Sequence, residues 1–466
     1  MSTVYDLVIL GSGPAGYVAA LRAAQFGASA AVVESRELGG VCLNRGCIPT
    51  KAVVETAWVL HEAQRARELG INLSVRRVNF KQVVARAQGV VDRLRGGIQA
   101  LFRASHIELV QGRGRLLEPG CVLVENEDGK QEVRGRALLV ATGSEPAKPG
   151  PLRLRSRRVV TSDDLLTMRR LPRRLLVIGG GATGCEFASM FRQLGSEVVL
   201  VEMLDHILPD LDEDLRRGLT NALRKQKVKL LLGTRVEALR RGSSSIVAEL
   251  SRGDPVEADT VLVAVGRRLS VEGVGLEDVA VNVEDGHIVV DERGRTSVAG
   301  VWAAGDVTGG RWLLAHVASR QAVAAVEDMF GETPYVRWDV VPFGIFCLPE
   351  VGAVGMTEAD AKEAGREVSV GRFPFTALGR AVTAGETEGF VKVVADAGTG
   401  ELLGVHILGA RAADLVHQAA LAIQMEATVD ELIDTIHAHP TFAEGVHEAA
   451  LDSLGRALHL PRRSSS

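Results

Sequence analysis

The chain has 466 residues and a formal net charge of −4, enough length for three or four domains and no excess of positive charge to hold nucleic acid or an anionic membrane. Residues 1–10 run straight into an apolar strand without the segments of a signal peptide, and no apolar stretch approaches a membrane span, so the expectation is a soluble cytoplasmic protein. Of the five cysteines, all but one pair are scattered, which argues against a structural disulfide framework; Cys121, Cys185 and Cys347 read as small buried residues.

The first predicted strand, Asp6 to Leu10, opens into Gly11-Ser12-Gly13-Pro14-Ala15-Gly16, and the next ends at Glu34. Gly11 makes the tight turn, Gly13 lets backbone N–H groups approach a pyrophosphate, and Gly16 lets helix and strand pack closely. The pyrophosphate sits on a helix N-terminus, and Glu34 stands where an acid accepts hydrogen bonds from ribose hydroxyls.

Cys42 and Cys47 follow within the run 39–51. Thiols beside a bound flavin or nicotinamide point to a disulfide made and broken in turnover. On an ideal helix five residues rise roughly 7.5 Å, whereas bridged Cα atoms lie within about 6.8 Å. The backbone must therefore tighten locally, and Gly46 and Pro49 permit an irregular turn. A strained disulfide is the more reducible one.

Residues 137–143 form the next strand ending in glycine. A basic stretch follows, with Arg153, Arg155, Arg157 and Arg158, then Arg169, Arg170, Arg173 and Arg174. It reads as a solvated linker face; the sharper expectation is a docking patch for an acidic carrier domain.

The fingerprint then recurs. Gly11, Gly13, Gly16, Gly27 and Glu34 correspond to Gly179, Gly181, Gly184, Gly195 and Glu202 at a constant offset of 168. Two such units imply two dinucleotides. Cys42 closely follows Glu34, so the disulfide belongs with the first site and a permanently held flavin, leaving the exchangeable nicotinamide to the second. Glu202 repels a 2′-phosphate and Met203, Leu204 and Asp205 supply no arginine for one, which favours NAD over NADP. Residues 261–266 close the second unit, and 301–306 form a strand ending at Gly305-Asp306, where the acid can bond a polyol such as a flavin ribityl chain.

Near the C-terminus, His439 and Glu444 form a pair suited to generating a thiolate, since a carboxylate orients an imidazole and raises its basicity. They act either within the chain or across a subunit boundary. Pro440 restricts His439 and is a candidate cis bond. His437, His439 and His447 lack a fourth ligand of suitable spacing, so no metal site is expected. His437 reads as a structural hydrogen-bonding group, and His447 as a surface residue of the following helix.

Together these motifs resemble the pyridine nucleotide-disulfide oxidoreductases along the whole chain. Leu43-Asn44 and Ile48-Pro49 are closer to the dihydrolipoamide-oxidising branch than to glutathione or mercuric reductases. The resemblance implies an α/β fold with two Rossmann-like domains, for FAD and NAD, plus a C-terminal α+β dimerisation domain. The boundaries expected are 1–145 for FAD, 146–268 for NAD, 269–336 for a central part completing the FAD site and 337–466 for the interface domain.

By the same resemblance, Cys42 exchanges with dihydrolipoamide, Cys47 contacts the flavin, and Lys51 lies near flavin N5 paired with Glu186. His439 is the base, oriented by Glu444; Asp306, Gly114, Gly143 and Ala315 line the FAD site, and Val236 and Gly266 border NAD. A homodimer and a lipoyl-bearing carrier protein are the implied partners. Departures fall at Leu269 and Ser270 (usually Pro-Asn), at Arg320 and Gln321 (usually an acid and glycine) and at Cys347 (usually threonine). The alternatives are an NAD(P)H-consuming disulfide or metal-ion reductase and, more distantly, a low-turnover structural subunit.

Overall fold

The computed structural model describes residues 3–75 and 77–461. The first sheet has a parallel part in the order Glu108–Gln111, Ala30–Glu34, Val4–Leu10 and Gly129–Val140, with Val301–Ala303 alongside the last. The strand Gly129–Val140 is shared: its later residues pair in parallel with Val4–Leu10, while its earlier ones join an antiparallel meander with Cys121–Asn126 and Arg113–Glu118. Alternate residues of the first strand serve opposite faces. Leu7 and Ile9 pack with Ala19 and Ala23 of the helix Pro14–Gln25, and Val8 and Leu10 pack with Leu116 and Val122. Burial on both faces is why this strand reads as an unbroken apolar run.

The second sheet repeats the design. Its parallel order is Lys229–Leu231, Glu197–Val201, Arg174–Ile178, Thr260–Val263 and Val159–Val160, beside an antiparallel meander of Val236–Arg241, Ile246–Leu250 and Val256–Ala258. The chain leaves the first unit through Ser144–Pro146 and returns through Arg267–Leu269, and these two strands pair antiparallel. Leu269 and Ser270 lie at this crossing. Ser270 N–H donates to Gly143 O at 2.9 Å, and Thr142 Oγ1 to Ser270 O at 2.8 Å, so the turn is held by backbone partners.

The third sheet is antiparallel, in the order Phe343–Ile345, Val351–Gly355, Leu402–Leu408, Phe390–Asp396 and Val368–Pro374. The helices Ala412–Gln424 and Glu444–Ser453 complete its core through Val416, Ala419, Val446 and Ala449. Among the described residues no helix is long and apolar enough to cross a membrane.

A buried charge cluster ties this sheet to the second unit. Lys392 is only 2% exposed, and its Nζ bonds both Asp212 carboxylate oxygens at 2.9 Å, Asp214 at 2.9 Å and Glu358 at 2.8 Å. Asp212 also caps the helix Glu213–Lys225 by accepting from Asp214 N–H. Burial opposes the Lys392 ammonium, but the surrounding carboxylates outweigh it and raise its pKa. Replacing Lys392 with methionine strands those carboxylates, and breaking a buried pair this way costs about 3–5 kcal/mol. A clear fall in the urea midpoint, followed by far-UV circular dichroism, is the expected outcome; an unchanged midpoint would contradict it.

Candidate functional site

The cysteine run is clamped to the first fingerprint turn. Gly39 N–H donates to Ser12 O and Ser12 Oγ, both at 3.1 Å, and a Cβ on Gly40 would stand 2.5 Å from Gly13 Cα. Asn44 Nδ2 donates to Leu38 O and Gly40 O at 3.0 and 2.9 Å, and Arg95 Nη1 donates to Asn44 Oδ1 at 3.1 Å. The expected irregularity takes the form of a break between two helices. Gly40–Asn44 ends with the N–H groups of Arg45 and Gly46 both on Val41 O, and Cys47–Arg65 starts afresh. Pro49 falls in the new first turn, where its missing N–H leaves no intrahelical bond unmade.

This break separates the electrostatics of the two sulfurs. Cys42 donates a thiol hydrogen bond to Cys47; that bond and burial push the Cys42 pKa up. Cys47, itself exposed on the cleft, receives the bond, which with the Lys51 ammonium outweighs desolvation by its surroundings and lowers its pKa to about 7. Cys47 is also the first residue of its helix, where the N-terminal dipole favours a thiolate. Lys51 Nζ bonds both Glu186 oxygens at 2.9 Å. Burial works against that ammonium, but Glu186 prevails and raises its pKa. Glu186 sits on the helix Ala182–Leu194, which opens the second fingerprint. Phe346 N–H donates to Glu186 Oε1 at 3.0 Å, and the Phe346 ring lies 4.7 Å from Lys51 Nζ. Sequence reasoning missed Phe346, and no local signal marks it.

Cys42, Cys47 and Lys51 line a cleft of about 790 Å³ that also takes in the first fingerprint. Gly11 has φ +103, and a Cβ there would meet Ala141 O at 2.4 Å; one on Gly16 would meet Gly11 O at 1.9 Å. Gly13 is different, since no protein atom lies within 4 Å of where its Cβ would stand. It lines the cleft, and the open space above its Cα is room a pyrophosphate could use in close approach. Glu34 accepts from Ser12 N and Oγ at 2.9 and 2.6 Å and from Arg36 N at 2.7 Å, which fixes its carboxylate at the cleft. Gly114 lines the same cleft, and a Cβ there would strike Leu10 at 2.4 Å. Gly143 has φ +69, and the helix Ala315–Met329 presents its first residue to the cleft.

Asp306 accepts from Ser144 Oγ and lies 3.6 Å from Arg267 Nε. Gln321, one of the departures, pins this turn: its Oε1 accepts from Gly305 N–H at 2.8 Å and its Nε2 donates to Thr308 Oγ1 at 3.4 Å. Arg320 is directed to Tyr335 O at 2.9 Å. Cys347 is buried, which raises its pKa well above an ordinary thiol.

The second fingerprint repeats these contacts almost atom for atom. Gly179 N–H donates to Val201 O as Gly11 N–H does to Val33 O, and Gly180 N–H donates to Glu202 Oε2 at 2.6 Å as Ser12 N–H does to Glu34. A Cβ on Gly184 would stand 1.9 Å from Gly179 O, while Gly181, like Gly13, has no protein atom within 4 Å. Gly266, at φ +115, ends the closing strand region, and its carbonyl accepts from Ala147 N–H. The Val236 side chain is buried in the core of this unit, so its backbone is what it can offer a nucleotide.

His439 Nδ1 lies 2.8 Å from Glu444 Oε1, and Thr441 N–H donates to Glu444 Oε2 at 2.8 Å. Although burial opposes it, these partners hold the Glu444 pKa below the ordinary carboxylate value. The His439-Pro440 bond is cis. The His439 side chain is 75% exposed and does not line the cleft holding Cys42 and Cys47 of its own chain. Exposed apolar side chains stand in the same part of the chain, with Met425 at 72% and Ile436 at 96%. His437 is held by Thr435 O at 2.8 Å. His447 is half-buried with its ring 5.3 Å from that of His437, where a surface position was expected.

The sequence profile of the pyridine nucleotide-disulphide oxidoreductases matches residues 5–322, and that family's dimerisation domain matches residues 341–450. The chain belongs to this family of flavoprotein oxidoreductases, which work with FAD and NAD through a redox-active disulfide, and it carries the domain by which they form homodimers. Within the family it is 40% identical to the dihydrolipoyl dehydrogenase of Bacillus subtilis, over 98% of this chain and 100% of that one, and 39% identical to that of Haloferax volcanii, over 99% of each. Among solved structures, LpdA of Mycobacterium tuberculosis superposes with a TM-score of 0.90 at 30% identity, covering 95% of this chain and 98% of that one. The Cu(II) complex of the HOCl-induced flavoprotein disulfide reductase of Escherichia coli superposes at 0.88 and 28%, covering 96% and 99%.

The glycine geometry separates folding from cofactor binding. Gly13→Ala should give a folded protein with native circular dichroism but a low flavin-to-protein ratio. Gly16→Ala should lower the unfolding temperature as well. Full flavin content in Gly13→Ala would refute the assignment.

Proposed function

We propose that this chain oxidises a protein-bound dihydrolipoyl group and reduces NAD. The observation that carries this is the Cys42–Cys47 pair, with Cys47 at a helix N-terminus beside Lys51 inside the first dinucleotide cleft. Full-length identity to dihydrolipoyl dehydrogenases supports the same reading. The working units are taken as 1–145 for FAD, 146–268 for NAD, 269–336 for the central part and 337–466 for the interface. A lipoyl-bearing carrier domain in the cytoplasm is the proposed partner, in keeping with a dithiol that must cycle in a reducing compartment.

In the reaction, a dihydrolipoyl thiolate attacks the Cys42 sulfur of the disulfide and Cys47 leaves as a thiolate. The second lipoyl thiolate then attacks the lipoyl sulfur bonded to Cys42, closing the lipoyl disulfide and releasing the Cys42 thiolate. The substrate gives up two protons: Nε2 of the partner subunit's His439, whose ring Glu444 orients, takes each in turn and passes one to the released Cys42 thiolate; exposure of His439 on its own chain supports this crossing. Lys51, held by Glu186, keeps Cys47 anionic. FAD and NAD, when bound, supply the two-electron and hydride chemistry. Glu34 and Glu202 orient the ribose ends through their anchored carboxylates.

Anaerobic dihydrolipoamide should reduce the purified protein with a long-wavelength thiolate–flavin band that added NAD discharges. A protein reduced by NADPH but not by dihydrolipoamide would sink the reading. Cys42→Ser should lose lipoamide turnover while still passing electrons from NADH to artificial acceptors. His439→Gln should lose about 10²- to 10⁴-fold in lipoamide turnover.

The band also has a predicted pH dependence. A thiolate with a pKa near 7 is protonated as pH falls through that value, so the band should fade on the acid side. Lys51→Met removes a cation that favours the thiolate and should move the midpoint upward. A downward or absent shift on spectrophotometric titration would contradict the role of Lys51.

A further inference from the structure

The arginine-rich stretch does not behave as one patch. Arg174 is paired with Asp259 and Glu257, and Arg153 Nε donates to Lys148 O. Arg155, Arg157 and Arg158 instead converge with Arg241, Ser243 and Ser244 on a cleft of about 600 Å³ between the linker and the turn of the second meander.

Among the described residues, none of these four guanidinium groups forms an ion pair, although acids stand close by. Those acids serve other arginines: Glu257 and Asp259 hold Arg174, and Glu249 holds Arg240. The cleft arginines that make bonds use backbone carbonyls. Arg158 Nη1 donates to Asp259 O at 3.1 Å, and Arg241 Nη2 donates to Arg155 O, which fastens the meander turn to the linker. The turn itself is closed by Gly242 N–H on Ser245 O at 3.0 Å. Four exposed like charges thus share an open surface depression in which none of them has an ion-pair partner, in a protein whose net charge is negative.

The cleft is separate from the nicotinamide site. Arg158 precedes the strand Val159–Val160, and Asp259, whose carbonyl holds Arg158, precedes the parallel strand Thr260–Val263. The second fingerprint follows the C-terminal end of the neighbouring parallel strand Arg174–Ile178. The two features therefore occupy opposite ends of one sheet. Guanidinium groups offer paired donors that match phosphate oxygens bidentately, and serine hydroxyls add neutral donors.

We propose that this cleft is an anion site for a chain of phosphates, either inorganic polyphosphate or the phosphates of a nucleotide, independent of the nicotinamide site. The test is calorimetric titration of the FAD-loaded protein, saturated with NAD, with inorganic tripolyphosphate, ATP and citrate in turn. Tripolyphosphate or ATP should bind once per chain, weaken as salt rises, and bind at least tenfold more weakly to an Arg157→Gln/Arg241→Gln variant that retains its flavin and unfolding temperature. ATP binding tighter than tripolyphosphate identifies a nucleotide as the ligand, and equal binding identifies the phosphate chain alone. The proposal falls if neither phosphate compound binds, if the double variant binds them equally well, or if citrate binds as tightly. It also falls if an acidic lipoyl domain occupies the cleft arginines while tripolyphosphate does not.

Discussion

The contact between Lys51 and Glu186 organises this molecule. It joins the helix that begins at Cys47 to the helix that opens from the second fingerprint, so one ion pair ties the cysteine run to the second dinucleotide-type unit. Phe346 closes it from the third sheet, by a backbone hydrogen bond to the acid and by its ring over the cation. Three parts of the chain thus meet on two charges. A half-buried ion pair seldom adds much net stability, because desolvation offsets the attraction. Its value here is positional and electrostatic: a cation held at a fixed place favours one sulfur over the other as the anion.

The duplication explains how so large a protein builds two sites from one design. Each fingerprint turn is shaped by the same two close approaches, of its first and third glycines, and each anchors an acid through a backbone N–H of the turn itself. The two copies diverge beyond the acid. After Glu34 the chain enters the cysteine run and is clamped back onto the turn through Ser12. After Glu202, Leu204 N–H bonds the other carboxylate oxygen at 2.8 Å, as Arg36 N–H does for Glu34 at 2.7 Å, but the chain carries no such run.

Legibility in the sequence tracks separation along the chain. The fingerprints, the cysteine pair, and His439 with Glu444 are local patterns, and each could be read from its own spacing. The partnership of Lys51 and Glu186 is invisible to spacing and entered only through resemblance. Asp306 is marked by its strand-end turn, but Phe346 and the Ser144 and Arg267 partners of Asp306 carry no local mark, because their roles exist only after the units pack. Lys392 looks in sequence like any strand-edge charge, yet it is among the most buried side chains, since its acids come from a helix cap in another unit. The arginine stretch is exposed as a linker face would be, but its members part company in the fold: Arg174 is ion-paired, Arg155, Arg157 and Arg158 line a surface depression, and Arg169, Arg170 and Arg173 stand apart from it.

The way the second unit is threaded into the first also bears on how the protein is made. The strand Val301–Ala303, which covers one edge of Gly129–Val140, is synthesised about 160 residues after that strand. At about 5–20 residues per second, the edge stays open for roughly 10–30 s during translation. An unpaired apolar edge is a template for pairing with a foreign strand. The nascent chain therefore passes through a period in which its first sheet is incomplete.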